Sequence, residues 1–214
     1  MNAPVIIAMD LSTPRGHVVA WSGGQSLYEA HFTSERSHNS LLYTPLGEAL
    51  EAAGDGIALL VVGTGPGSYT GVRISIAAAH GVALSKSIPV IGLPSIASLD
   101  DAAHYLVVGD ARRGKYYRAQ IEEGRLLGGV TLGGEEEIRA WSEHASMPIF
   151  TADETPPLAV AGIQTRHPSA VRLAATAASL GEETIWTLAE NGVEPLYVQE
   201  AFITKAKPKA GAPA

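Results

Sequence analysis

Short apolar runs alternate with helix-length segments along the first hundred residues. Five of these runs predict strands, at residues 5–9, 16–21, 25–32, 58–62 and 89–92. Apolar residues at helical spacing predict a helix that opens at Ser37 to Asn39 and ends near Ala53, and a second from about Thr70 to Ser85. Alternating strands and helices predict an α/β fold in which helices cover a sheet.

The second predicted helix has almost no polar face. Arg73 is the only acidic or basic residue between Thr70 and Ser85 apart from His80. A helix that is apolar on every side must be covered on every side, and a single sheet covers only one of them. We therefore expect another chain to cover the rest. Because a lone buried charge is costly, we also expect Arg73 to pair with a carboxylate or a phosphate.

Residues 105–132 repeat the pattern of residues 5–32: apolar strand, aspartate, short loop, strand, glycine turn, strand. Three pairs of landmarks keep register, namely Asp10 with Asp110, Gly16 with Gly114, and Gly24 with Gly124. These matches indicate an internal duplication, although two units of strand, turn and strand could also look alike by chance. Two copies of this unit, each followed by helices, indicate the actin-like, Hsp70-like ATPase fold (RNase H-like).

The repeat also predicts the domain organisation. Residues 1–100 are expected to form the first subdomain, residues 101–204 the second, and the lysine-containing residues 205–214 a disordered basic tail. In the second subdomain the pattern predicts helices at residues 135–143 and 168–180, with short strands at 147–151 and 158–161.

The amino-acid composition excludes several kinds of functional site and cellular location for this protein. The 214 residues include no cysteine, which removes disulfides, thiolate metal sites and cysteine nucleophiles. A formal net charge of −7 argues against broad binding to nucleic acid through its backbone, so we expect another subunit to hold any RNA. The first residues lack a basic start, and no apolar run approaches the roughly 18 residues of a membrane span. We expect a cytoplasmic protein without a signal peptide or membrane segment.

Two loops offer candidate nucleotide-binding residues. The glycine loop GTGPGSYTG, residues 63–71, lacks the Lys-Ser/Thr pair of a P-loop and the last glycine of G-x-G-x-x-G. It is therefore a structural turn or an anion site at a helix N-terminus, and the sequence leaves both open. The loop after the first strand is likewise a local turn or a phosphate or metal site. The candidates are Asp10, Ser12, Thr13, Gly65, Gly67 and Ser68.

No catalytic set emerges from the remaining polar residues. The segment DARRGKYY puts Arg112, Arg113 and Lys115 beside Asp110, as a solvated hairpin turn or as an RNA or phosphate contact. The seven histidines form no H-x-x-x-H or H-E-x-x-H pair, so no metal site is predicted. No G-x-S-x-G elbow is present to support a hydrolytic triad.

Four segments together carry a family resemblance: IAMDLST, residues 63–99, DARRGKYY and EPLYVQ. In this order and spacing they resemble the bacterial TsaB (YeaZ) family. The resemblance implies a non-catalytic protein that takes part in making threonylcarbamoyladenosine (t6A), at adenosine 37 of tRNAs that read ANN codons. It implies binding to the catalytic paralogue TsaD and to the ATPase TsaE, a homodimer when alone, and only indirect contact with tRNA.

The resemblance also implies two actin-like subdomains of which the second is reduced, and it implies which residues matter. In TsaD a similar strand runs into an H-x-x-x-H metal pair, and those two positions fall here on Ser95 and Leu99, which argues against a metal site. No cofactor is expected to be required, although ATP or ADP with Mg²⁺ is a candidate ligand at the subunit junction. The dimer surface of the family uses its first two helices, here about residues 39–53 and 70–85. The implied interface residues are Leu42, Leu46, Gly71, Val72, Arg73, Ser75, Ile76, Ala78 and Ala79.

Two other functions are left open. Asp10, Asp110 and the glycine loop are compatible with an autonomous actin-like-fold ATPase or small-molecule kinase. The third alternative is a peptidase of the glycoprotease-like superfamily, against which the absence of a metal pair and of a triad argues.

Overall fold

The computed structural model of the protein describes residues 3–33 and 38–199, and these residues form two lobes, each built on a five-stranded sheet. The first sheet contains β1 (Val5–Asp10), β2 (Arg15–Ser22), β3 (Gln25–Thr33), β4 (Ile57–Gly63) and β5 (Val90–Leu93). The second contains β6 (His104–Arg112), β7 (Lys115–Glu122), β8 (Arg125–Gly133), β9 (Ile149–Thr151) and β10 (Ile163–Thr165).

The two sheets share one topology. The first has the order β3-β2-β1-β4-β5 and the second the order β8-β7-β6-β9-β10, read in the same direction. In each sheet the first three strands of the lobe are antiparallel neighbours, and the last two add in parallel. Two copies of one layout confirm the prediction of a duplicated, actin-like α/β fold.

Helices cover both faces of the first sheet. Helices α1 (His38–Ala53) and α2 (Tyr69–Lys86) pack on the face that carries Ile7, Met9 and Leu60. Helices α4 (Ala170–Ala178) and α5 (Glu182–Glu190) pack on the opposite face. Alternate side chains of β1 serve the two layers, because successive residues of a strand point to opposite sides.

The placement of α4 and α5 corrects the predicted boundary of the second domain. Leu173 and Ala177 of α4 lie in a core cluster with Ile6, Val61 and Ile91 of the first sheet. Residues 170–190 therefore belong to the first lobe, although the expected second domain ran from 101 to 204. The apolar stripe of α4 fits either lobe, and only the three-dimensional path of the chain assigns it.

The second lobe carries fewer helices. Helix α3 (Glu135–Glu143) covers one face through the buried Ile138. The other face packs against the 3₁₀ helix Ser95–Ser98, whose Ile96 and Ala97 lie with Tyr105 and Phe150 in one cluster. The connection between the lobes thus fills the place of a covering helix, in keeping with the predicted reduction of this lobe.

Most predicted elements exist within one or two residues of their predicted ends. The strand expected at residues 158–161 is wrong, since the chain there is irregular and the last strand is Ile163–Thr165. Helix α5 was missed, although Glu182 and Glu183 in its first turn are a helix-start signal. Ser37 and the tail at 205–214 lie outside the described residues. Across the described helices, none combines the length and apolar character needed to cross a membrane.

Candidate functional site

A cleft of about 980 Å³ separates the two lobes. We call it the interlobe cleft. The first lobe lines it with the loop after β1 and the glycine loop, and the second lobe with the β6–β7 turn and the loop after β9. The residues used below are Ser12, Thr13, Gly67 and Ser68 on the first wall, and Asp110, Arg112, Asp153 and Glu154 on the second. Four of the six candidate nucleotide-binding residues therefore face this space.

Asp10 is not one of the lining residues. Its side chain is 1 % exposed, and its Oδ1 accepts hydrogen bonds from the backbone N–H (2.8 Å) and the hydroxyl (2.6 Å) of Ser12. Oδ2 lacks a partner of normal geometry among the described residues, although the Ser95 hydroxyl lies beside the carboxyl group. Burial raises the pKa of Asp10, and the Ser12 and Ser95 hydroxyls offset part of that rise. Asp10 therefore orders the loop and does not present its carboxyl group to the cleft.

The glycine loop packs directly on the loop after β1. A Cβ at Gly67 would overlap the Ser12 carbonyl oxygen, and a Cβ at Gly71 would overlap that of Leu11. The Ser68 N–H donates to the Ser12 carbonyl (2.6 Å), and the Gly65 N–H to the Ser95 hydroxyl (2.8 Å). Gly65 also has a φ of +94°, which favours glycine. These close contacts explain structurally why glycine stands at these positions. They also use the N–H groups of Gly65 and Ser68 in hydrogen bonds within the chain, so these two donors are not available to an anion.

The Ser68 side chain caps α2. Its hydroxyl accepts a hydrogen bond from the Gly71 N–H at 3.1 Å, which satisfies one of the free donors of the first helical turn. This contact uses one acceptor lone pair of the Ser68 hydroxyl, and the O–H of this candidate nucleotide-binding residue is still able to donate.

The second wall of the cleft carries charges of both signs. Asp110 Oδ1 accepts from the Arg112 N–H (2.6 Å), and its Oδ2 lies 3.2 Å from the Arg112 guanidinium. Asp153, which the sequence analysis missed, accepts from the Asp110 N–H at 2.8 Å. Burial raises the pKa of Asp153, and the nearby Asp110 carboxylate raises it further. Asp153 comes two residues after the apolar strand β9, and an aspartate directly after a predicted apolar strand is the signal that would have found it.

The β6–β7 connection is a hairpin turn, as predicted, and contact of its cations with RNA or phosphate stays a prediction. Arg112 and Arg113 adopt φ values of +73° and +57°, a region that non-glycine residues enter at a cost of about 1–2 kcal/mol each. The turn holds both residues at the wall of the cleft.

Arg73 lies between two tyrosines, of which Tyr69 lines the cleft. Its Nε donates to the Tyr197 hydroxyl at 3.0 Å, and its guanidinium lies 4.1 Å from the centre of the Tyr69 ring. The expected carboxylate partner is therefore wrong for the described residues, in which the Tyr197 hydroxyl and the Tyr69 ring contact this cation, and the phosphate partner stays a prediction. Such cation–π contacts stabilise an exposed guanidinium without burying it.

The implied interface residues divide into two groups. Six of them are buried within the chain's own fold, namely Leu42, Leu46, Gly71, Val72, Ser75 and Ala79. Because these six are buried in the chain's own fold, they do not lie on its surface, which corrects their assignment to a partner surface. Arg73 is exposed, and Ile76 and Ala78 are partly exposed. The outer face of α2 also presents Ala77, Gly81 and Leu84, of which Leu84 is 86 % exposed.

Ser95 and Leu99, which the resemblance matches to the metal pair of TsaD, lie in the connection between the lobes. Ser95 and Leu99 are both buried, and the Ser95 hydroxyl accepts the Gly65 N–H. Among the described residues, one group of side chains has the composition of a metal site, and it lies elsewhere: His17, Glu29 and His31 on β2 and β3. No sequence motif marks this group, because the pairing of β2 with β3 brings its members together.

Comparisons with known proteins agree on one family. The model of the family described as TsaD, tRNA N6-adenosine threonylcarbamoyltransferase, matches residues 32–184. The tRNA threonylcarbamoyladenosine biosynthesis protein TsaB of Escherichia coli K12 is 32 % identical over 143 residues, which are 62 % of this chain and 60 % of that protein. TsaB of Haemophilus influenzae is 30 % identical over 131 residues, 56 % of this chain and 55 % of that protein. The matches thus span less than two thirds of either relative.

Solved structures show the same fold. A Pseudomonas aeruginosa protein described as similar to peptidase YEAZ superposes with a TM-score of 0.71 at 23 % identity, covering 92 % of this chain and all of that one. YeaZ from Pseudomonas aeruginosa superposes with a TM-score of 0.67 at 24 % identity, covering 91 % of this chain and all of that one. The chain belongs to the TsaD family of tRNA N6-adenosine threonylcarbamoyltransferases, and the relatives that it resembles within that family carry the names TsaB and YeaZ.

Proposed function

We propose that this chain is a non-catalytic subunit of the machinery that adds the threonylcarbamoyl group to adenosine 37 of ANN-reading tRNAs. The relatives named TsaB, which are threonylcarbamoyladenosine biosynthesis proteins, support the pathway. One structural observation carries the accessory role: Ser95 and Leu99 lie inside the packed connection between the lobes, where the catalytic paralogue has its two metal-binding histidines. A buried leucine offers no ligand atom to a metal.

The outer face of α2 is the surface that fits a partner helix. Arg73, Ala77, Gly81 and Leu84 follow one another at three- and four-residue intervals, so they lie on one side of the helix. Small side chains at Ala77 and Gly81 permit close approach, and Leu84 supplies apolar area. On α1 the exposed Leu41 and Tyr43 add to the apolar surface of this layer. In this proposal TsaD covers the α1–α2 layer, a second copy covers it when TsaD is absent, and TsaE joins the assembled pair.

A nucleotide is the candidate ligand of the interlobe cleft. Ser12 and Thr13 on one wall and Arg112 on the other are groups that bond to phosphates. Within the described chain no three carboxylate or histidine side chains converge in the cleft to hold a metal. A magnesium ion would therefore be held mainly by the phosphates of an ATP or ADP at the subunit junction.

Reconstitution tests the proposal. Purified TsaD, TsaE, ATP, threonylcarbamoyl-adenylate and tRNA are incubated with and without this chain, and modified adenosine is measured by mass spectrometry of the digested tRNA. We expect modification only in the complete mixture, and none when TsaD is the protein left out. Modification that is equally fast without this chain would refute the accessory role.

The second candidate function is an autonomous ATPase or small-molecule kinase, which the size of the interlobe cleft favours. Turnover of ATP by the isolated chain, with saturation and loss of activity on replacing Arg112 by alanine, would support it. We expect no turnover from the isolated chain. The same assay with a peptide substrate tests the peptidase alternative, for which the described residues show no nucleophile paired with a histidine.

A further inference from the structure

A cavity of about 610 Å³ lies in the first lobe, at the opposite end of the sheet from the interlobe cleft. Ala3 and Pro4, which precede β1, and Ala58 at the start of β4 line this cavity. The interlobe cleft is lined instead by residues that follow the same two strands, such as Thr13 and Gly67. We call the cavity the apolar pocket, and among the described residues it shares no lining residue with the cleft.

The apolar pocket lies between the first sheet and helix α5. Its buried lining residues include Ile6 of β1, Leu59 of β4 and Ala177 of α4. Trp21, near the end of β2, and Trp186 of α5 also line it, and Trp186 is 49 % exposed. Concave, mostly apolar cavities of roughly 300–1,000 Å³ are typical of sites that bind small organic molecules. The pocket has both this size and this lining.

Helix α5 packs incompletely on the first lobe. Ile185, Leu188 and Ala189 contact the core cluster of the sheet, yet none of the nine residues of α5 is buried. Ile185 and Trp186 line the apolar pocket from the side of the helix. An apolar molecule that filled the pocket would remove this exposed apolar surface from water, which is the favourable term in most binding of organic molecules.

The apolar pocket carries one charged group, the Glu182 carboxylate in the first turn of α5. Glu182 is the only charged residue among the described residues that line the pocket. Within the described part of the chain, its carboxylate forms no hydrogen bond or ion pair. An unpaired carboxylate beside an apolar pocket attracts a cation, and the faces of tryptophan rings attract cations as well.

From this geometry we propose that the apolar pocket binds a small organic cation. The apolar body of the ligand lies against Ile6, Leu59 and the two tryptophan rings, and its amino or ammonium group lies at Glu182. The formal net charge of −7 favours the approach of a cation over that of an anion. The site does not depend on the proposed role in tRNA modification, because it lies apart from the interlobe cleft and from the outer face of α2.

Tryptophan fluorescence tests the proposal, since two of the three tryptophans line the pocket. Trp141→Phe removes the third, which lies on the second lobe, so the full-length variant reports only from Trp21 and Trp186. It is titrated at low salt and pH 7 with 4-phenylbutylamine, 4-phenylbutanol and 4-phenylbutanoate, which are positive, neutral and negative probes of similar shape. We expect saturable binding in which the amine binds about threefold more tightly than the alcohol and the acid about threefold more weakly, as is typical of one exposed ion pair.

Substitutions at the pocket test which groups hold the cation. Glu183→Gln is the matched control for Glu182→Gln, because Glu183 is exposed in the same turn but does not line the pocket. We expect Glu182→Gln to lower the affinity for the amine about threefold and to leave that for the alcohol unchanged, whereas Glu183→Gln changes neither. Ala178→Phe, at an exposed lining residue, should place a ring in the pocket and abolish binding of all three probes.

Equal affinities for the amine and the acid would overturn the proposal, as would equal effects of Glu182→Gln and Glu183→Gln, and both comparisons hold even if Ala178→Phe does not fold. Light scattering tests whether a second copy of the chain covers the pocket instead. We expect Trp186→Ala to leave the oligomeric state unchanged. A dimer that Trp186→Ala dissociates and Leu84→Glu does not would show that a second copy is the occupant, and would also overturn the proposal.

Discussion

Asp10 shows at the scale of one residue how a buried carboxyl group can order a loop and still cost stability. Burial raises its pKa, so the ionised form is disfavoured in the folded state. An acid with a raised folded-state pKa contributes its full stability below the unfolded-state value of 3.8, and that contribution is lost as the pH rises through the folded-state pKa. Near neutral pH, Asp10 therefore lowers the free energy of unfolding.

Asp10→Asn removes this cost while keeping an oxygen for the two hydrogen bonds from Ser12. We expect the variant to be more stable than the wild type at pH 7 and equally stable near pH 3, as measured by urea denaturation. Asp10→Ala is the matched control. It loses both hydrogen bonds and leaves the Ser12 donors without their partner, at a cost of about 1–3 kcal/mol. A less stable Asp10→Asn at pH 7 would contradict the prediction.

Alanine substitutions at two glycines are expected to change the stability in opposite directions, one through a steric clash and the other through helix propensity. Gly67→Ala would press a methyl group against the Ser12 carbonyl oxygen, and such overpacking costs about 1–3 kcal/mol. Gly47→Ala, inside α1, meets no atom within 4 Å, and alanine is favoured over glycine in a helix by about 1 kcal/mol. We expect thermal denaturation to show a lower midpoint for the first variant and a higher one for the second.

Helix α2 has two faces with different roles at the scale of the element. Val72, Ser75, Ala79 and Ala83 pack on the first sheet, whereas Leu84 points away from it. The helix is thus covered on one side by its own sheet, as the sequence analysis expected, and its outer face is available to a partner. A charge on that outer face should disturb association and leave folding intact.

Leu84→Glu is expected to weaken binding to TsaD at least tenfold in calorimetric titration, and to convert any homodimer to monomer in light scattering. Leu127→Glu on β8 is the matched control, since Leu127 is 49 % exposed but lies on the other lobe. Both variants should unfold at the same urea concentration as the wild type. Equal binding by the two variants would exclude the α2 face from the interface.

The first lobe is completed, at the scale of the whole molecule, by helices from the end of the chain. Leu173 of α4 is 1 % exposed and packs on the face of the sheet that carries Ala8 and Val61. Ser169, which caps α4, and Arg172 in its first turn bond to Ser98 and Asp101 in the connection between the lobes. The first lobe can therefore complete its core only when the chain has passed through the second lobe and returned to it as α4.

Leu173→Ala is expected to destabilise the protein by about 2–5 kcal/mol, the usual cost of removing a buried leucine side chain. Leu127→Ala, at an exposed site, should change the stability by less than about 0.5 kcal/mol. Urea denaturation followed by tryptophan fluorescence gives both values. A Leu173→Ala variant as stable as Leu127→Ala would mean that α4 does not belong to the core of the first lobe.

The local pattern of this sequence determined most of the elements. Period-two and fully apolar runs gave the strands, since pleating and burial impose them, and Ser68 marked the start of α2 through its capping hydroxyl. The repeat of Asp10 and Asp110 gave the duplicated fold, because the same local order of strand, turn and strand folds into the same sheet twice. These properties depend on neighbours in the chain, so the sequence alone contains them.

Only the tertiary structure decided which surfaces meet. It assigned α4 to the first lobe, turned Leu42 and Ser75 inward, gave Arg73 a tyrosine partner, and joined His17 to Ala170. Each of these contacts links residues that are far apart in sequence or depends on how a helix is rotated about its axis. A periodic pattern determines neither the distant contacts nor the rotation of a helix. An apolar stripe can pack on any apolar face, and a polar side chain can bond to any partner that the fold brings within reach.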